Sequence, residues 1–366
     1  MIVACIVYFS IPQGSCINKR NQAGTVNNVS VVIMEKSCYA LFARNCICRD
    51  DAKGPGCRNG MSFRGFAPFR RFSGGNMEFK PCDIQKLMQA YPQLTLPLRA
   101  GISQTQEYRD VVLKGESGGR VSPWHYGEIQ QGQCLTPAGT ANILYLPKRK
   151  DFEQMYQTLG FRCEPTRILP SVGAVFINGL PNWNTIREHQ AAYLRSGKFD
   201  LNEEFVRFTS DRKNYCDSLI LLSRGAYSSI PAERAGFPRG EWEKLSLKIR
   251  MYHELTHFVC RRLFPEKKDK IRDEIIADGI GLLAAFGRYD PSMACMFLGI
   301  EEGSFRPGGR LEEYADNDVQ TIIPEAERLI REMEDAAITG WGEEAWLKLP
   351  EKEKEPYLFR FLTEIY

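Results

Sequence analysis

The segment GEWEKLSLKIRMYHELTHFVCRRLF (240–264) runs without a proline and sets Trp242, Leu245, Ile249, Tyr252, Leu255, Phe258 and Val259 at three- and four-residue steps. That spacing lines one face of a long helix with apolar side chains. Pro265 cannot continue the hydrogen-bond ladder and predicts its end. Within the helix, HELTH places His253 and His257 one turn apart on the same face, where they can chelate one ion. Glu254 stands one residue round from His253, able to contact a metal-bound water without being a ligand. The chain has only four histidines, so chance explains such a match in roughly a few chains per thousand.

A catalytic zinc normally takes three protein ligands and leaves a position for water. The next segment, PEKKDKIRDEIIADGIGLLAAFG (265–287), supplies the third. Pro265 and Glu266 suit a helix start and Gly287 its end. Glu274 and Asp278 share a face of this second helix. His257 lies about seven residues before the turn and Glu274 about nine after it, roughly 10–14 Å along each axis, so antiparallel helices bring them level. Glu274 then completes a His2Glu set, and Asp278 can accept the free ring N–H of a liganding histidine. Zn²⁺ is the cofactor this set implies.

HELTH followed by E-x-x-x-D resembles the signature of the gluzincins, the glutamate-ligand zinc metallopeptidases. The second helix is similar to the HtpX/BepA-type peptidases: E-I-I-A-D-G-I-G (274–281) and then G-R-Y-D-P (287–291) stand where those carry E-x-x-A-D-x-x-G and G-Y-D-P. Sixteen residues separate His257 from Glu274, fewer than in either group, and Arg288 interrupts the last match. The resemblance implies an α+β, zincin-like fold and a soluble metallopeptidase acting on a peptide or protein segment. In such an enzyme, zinc held by His253, His257 and Glu274 lowers the pKa of its water, and Glu254 takes the proton and passes it to the leaving amine. A tetrahedral oxyanion needs a further donor; Tyr289 is the first candidate, beside Tyr314, His189, His125 and Arg310. SLILLSRGAYSSI (218–230) is the candidate sheet edge for an added substrate strand.

Two other readings stay open. A deformylase-like amide hydrolase would complete the histidine pair with a cysteine, from Cys216, Cys260 or Cys295. A non-catalytic scaffold would keep the metal as a helix clamp; Glu254 argues against it, since a structural site needs ligands and no base.

The rest of the chain divides into a mixed α/β part at 77–215 and a mainly helical, zincin-like part at 216–366. ANILYLP (141–147) and SVGAVFING (171–179) read as strands, and DFEQMYQTLGF (151–161) and NTIREHQAAYLRSG (184–197) as helices. The Asp316–Asn317–Asp318 run reads as a polar helix cap. Residues 1–76 carry ten Lys/Arg against three Asp/Glu, leaving the remainder weakly acidic in a chain of net charge +3. That excludes an electrostatic case for nucleic-acid binding by the body. The same segment holds six of the twelve cysteines, including Cys38, Cys46, Cys48 and Cys57, which match no usual zinc spacing. It is read as a non-native or disordered N-terminal extension, with Met77 as the initiator. The other cysteines are scattered singly, as reduced thiols of a cytoplasmic protein are. No window reaches the roughly 18 apolar residues of a membrane span.

Overall fold

The computed structural model describes residues 78–116, 128–267, 269–315 and 318–366. The 1–76 extension, the Met77 start, the cysteines at 38–57, His125 and the Asp316–Asn317 pair lie outside the described residues.

A mixed sheet is built from β1 (Lys80–Pro81), β2 (Gln130–Thr136), β3 (Gly139–Leu146), β4 (Ala174–Pro181) and β5 (Cys216–Ser223), in the order β1-β2-β3-β5-β4. β3 and β5 are parallel, with Asn142 opposite Leu219, and every other pair is antiparallel. α1 (Ile84–Ala90) and α2 (Gln106–Lys114) precede the long strands. The crossover from β3 to β5 carries α3 (Arg149–Gly160), the edge strand β4, α4 (Trp183–Arg195) and α5 (Leu201–Thr209). α3 covers one face of the sheet, packing Phe152, Met155 and Leu159 on Leu144, Ile177, Leu219 and Leu221.

The opposite face takes α7 (Arg239–Leu263), the expected HELTH helix, which follows the single turn α6 (Ala232–Ala235). Phe176 of β4 meets Phe258 of α7 edge-on, with centroids 5.8 Å apart. Because both faces are covered, β5 is buried from Ser218 to Ser223. The expected boundary at 215/216 falls just before this strand, so the sheet draws strands from both sides of it.

The expectation that 218–230 forms a substrate-binding edge is corrected: β5 is interior, and the free edge beside α7 belongs to β4. The second helix, α8 (Lys270–Phe286), also starts later than Pro265. Asp269 caps it by accepting from the Arg272 N–H at 3.1 Å, which leaves Pro265 and Glu266 in the turn. Gly287 ends it in the left-handed region, as expected.

α9 (Pro291–Leu298), a hairpin of β6 (Ile300–Glu301) and β7 (Ser304–Phe305), α10 (Ile323–Gly340), α11 (Glu343–Lys348) and α12 (Glu351–Ile365) complete a mainly helical C-terminal part. The fold is thus α+β. Among the described residues no helix is long and apolar enough to cross a membrane.

Candidate metal centre

α7 and α8 pack closely because α8 is small where they touch: a Cβ on Gly281 would meet the Ile249 carbonyl oxygen at 2.9 Å. That approach brings Glu274 opposite the two histidines. His253 Nε2 lies 3.3 Å from Glu274 Oε2, and His257 Nε2 lies 3.4 Å from Glu274 Oε1. The two Nε2 atoms are 3.1 Å apart. A cation about 2.0–2.1 Å from each donor in tetrahedral geometry would separate donors by roughly 3.4 Å. The three residues therefore already stand at metal-ligand spacing, and they form one group of candidate ligands.

Charge gives an independent test of fit. Among the described residues Glu274 and Asp278 share a single guanidinium, that of Arg310. With Glu254 beside them the carboxylates outnumber it, and uncompensated charge is costly inside a protein, so a cation, whether a proton on His253 or a metal ion, offsets the excess. The electrostatics of the cluster agree. Burial opposes a charge on His253, yet hydrogen bonds from its ring to Asp278 and Glu274 raise its pKa to about 10. Burial pushes Glu274 up, and His257 and His253 more than reverse this, holding it well below the usual carboxylate range. The carboxylates that hold a proton on His253 are the groups that would hold a cation in its place.

Asp278, 1% exposed, sits behind His253 as expected, with its Oδ1 2.9 Å from the Nδ1. The same Oδ1 accepts from the Tyr227 hydroxyl at 2.5 Å, and Oδ2 accepts from Arg310 Nη2 at 2.6 Å. Arg310 Nη1 donates to the Tyr227 oxygen at 2.8 Å. With Nδ1 donating to a carboxylate, Nε2 of His253 is the atom whose proton a metal ion would replace.

Tyr227 was not legible in the sequence. It is seated by a strained turn, in which Ser228 and Ser229 take φ of 48° and 57°. Arg250, buried one turn before His253, clamps the approach to that turn by donating to the carbonyls of Gly225 at 2.7 Å and Ala226 at 2.5 Å. An arginine on the histidine face of an apolar helix was the one available signal.

Glu254 is 7% exposed and lines a cavity of about 200 Å³ with both histidines and Glu274. Its carboxylate has no hydrogen-bond or ion-pair partner among the described residues. Of the expected oxyanion donors, Arg310 and Tyr314 line the same cavity. Burial and then Glu274 raise the Tyr314 pKa, with Arg310 opposing. Tyr289 does not line it: its hydroxyl donates to the Ile330 carbonyl at 3.4 Å. His189 is structural, stacked on Phe208 at 3.8 Å and 2.5 Å from Glu204. Cys216, Cys260 and Cys295 are free thiols outside both the ligand group and the cavity lining, so none is brought to the histidines.

No curated protein and no solved structure matches the chain. Residues 80–339, which include β1 to β7, every ligand candidate and most of α10, match a family of unknown function, and the chain belongs to that family, DUF7005.

Proposed function

We propose that the protein is a zinc-dependent peptidase. The observation that carries this reading is an unpartnered carboxylate, Glu254, beside a convergent His2Glu set in a cavity that runs along a free sheet edge. Zinc bound by His253, His257 and Glu274 would polarise the substrate carbonyl and acidify the attacking water. Glu254, with no competing donor, takes the proton of that water as its oxygen adds to the carbonyl carbon. It returns the proton to the amine as the C–N bond breaks. Asp278, held by Tyr227 and Arg310, fixes the ring of His253 throughout. Arg310, held by Asp278, and Tyr314, beside Glu274, both line the cavity and are the candidate donors for the oxyanion.

The edge of β4 supports a peptide as substrate. Its unpaired backbone groups suit an added extended segment. Ala174, Phe176 and Asn178 line the cavity that holds the cluster. The six described cysteines are all free, which fits a reducing compartment such as the cytoplasm.

The test is Glu254→Gln on the full chain. Zinc measured by elemental analysis should stay near one per chain, while turnover of a fluorogenic peptide library falls by about 10²–10⁴-fold. Equal turnover by the variant would remove the general base and the mechanism with it.

A further inference from the structure

The cavity wraps the edge of β4 and has two unlike halves. Phe176 and the metal cluster border one face of the strand, and Tyr156, Leu159, Val175 and Ile177 border the other. Neighbouring residues of a segment paired with β4 alternate between these halves. One of each adjacent pair therefore meets an apolar wall.

The charges lining the cavity do not balance once a divalent cation is bound. With Asp278 behind His253 counted in, the formal charges of the cation and Arg310 offset those of Glu254, Glu274 and Asp278. The charge of Arg250, which donates to backbone carbonyls, offsets that of Glu313 without pairing with it. Two guanidiniums are left over. Arg261 stands one turn beyond His257, with its Cζ 5.5 Å from the Phe176 ring centroid and no carboxylate partner among the described residues. Arg167, on the loop before β4, is exposed and has no hydrogen-bond or ion-pair partner among the described residues. A cleft with a surplus of one sign concentrates ligands of the other.

We propose that the substrate is an extended peptide carrying a carboxylate beside an apolar side chain, drawn to the cleft by Arg261 and Arg167, which both border it. The inference rests on the peptidase reading for the cation that leaves these arginines unmatched. An acidic side chain and a chain terminus offer the same group, and the experiment separates them.

Four labelled octapeptides of one valine- and serine-based sequence carry either glutamate or glutamine at a central position, each with a free or an amidated C-terminus. Binding is read by fluorescence anisotropy to the zinc-loaded full-length Glu254→Gln protein. Cleavage of the same peptides is read with the wild type. Glutamate, the free terminus or both should tighten binding by about fivefold at low ionic strength, and less in 0.5 M salt. Arg261→Gln and Arg167→Gln, each added to the Glu254→Gln background, should bring that preference towards unity. A preference confined to glutamate assigns a side chain, and one confined to the free terminus assigns a C-terminal end. Four equal affinities, no binding at all, or a preference that survives both arginine variants overturns the proposal. Charge-selective binding without cleavage by the wild type leaves the subsite standing and removes the peptidase reading. Cleavage without charge preference does the reverse.

Discussion

Asp278→Asn removes one charge and keeps the shape, so its effects can be worked through atom by atom. Oδ1 accepts from His253 Nδ1 and Tyr227, and Oδ2 accepts from Arg310. An asparagine has one acceptor oxygen and one N–H₂ group. With the oxygen kept toward His253 and Tyr227, the N–H₂ group faces the donor Nη2 of Arg310. With the oxygen toward Arg310, it faces two donors instead. The first arrangement loses less, yet it leaves the Arg310 guanidinium with Glu274 at 3.8 Å as its nearest carboxylate. Removing one partner of a buried ion pair costs about 3–5 kcal/mol, and that is the expected loss in denaturant unfolding of the metal-free protein. A carboxylate behind a liganding histidine is worth about 10–100-fold in metal affinity. Competition for zinc against a chromophoric chelator should show that loss. An unchanged zinc affinity in a variant that is destabilised as expected would refute the coupling of Asp278 to the metal through His253.

Three other perturbations follow from the packing. Gly309→Ala puts a Cβ 2.7 Å from the Gly299 Cα and 2.8 Å from the Leu298 carbonyl, so the turn carrying Arg310 must shift. Thermal unfolding should show a loss of about 2–3 kcal/mol, with weaker zinc binding; neutral behaviour would mean that this backbone crossing does not seat Arg310. Burial lowers the Lys248 pKa to about 8, with Glu351 and Glu355 opposing and Lys354 assisting. From pH 8 to 10.5 the unfolded chain holds a proton that the folded one lacks, so this group adds stability as pH rises through that window. Lys248→Met should abolish that slope and stabilise the protein at pH 7 by about 1–2 kcal/mol, allowing for partial exposure; a slope unchanged in the variant would show that another group sets it. Cys260→Ala should keep its full zinc content by elemental analysis, and loss of zinc would revive the cysteine-ligand reading.

Helical periodicity made much of this site legible. His253, His257, Glu274 and Asp278 lie on two consecutive helices whose facing sides follow from 3.6 residues per turn, and Gly287 marked one end correctly. The start of α8 was misplaced because proline at a first turn is a common signal, while Asp269 supplied the actual cap. Strand order was harder. The run from Leu219 to Leu222 lacks alternation, which is the mark of burial on both faces and a signal against the edge position expected for it. Tyr227 and Arg310 lay beyond such reasoning. One is held by a left-handed pair of serines and the other by a crossing of two glycines, and neither arrangement is periodic. Tyr289 had adjacency to the motif in its favour, but the chain beyond Gly287 leads its hydroxyl to α10.

The contrast between two buried carboxylates bears on whether such a centre is a clamp or a catalyst. Asp278 receives hydrogen bonds from three side chains, which is how folding commonly offsets the cost of burying a charge. Glu254, one residue round from His253, receives none among the described residues and faces the cavity instead. A helix clamp gains nothing from a carboxylate there, and an apolar residue at 254 would serve it as well. A structural zinc is also closed by four protein ligands, whereas among the described residues three candidates converge and all three border the cavity. An open coordination direction and an unpartnered carboxylate beside it add nothing to stability. Together they supply what proton transfer to and from a bound water requires.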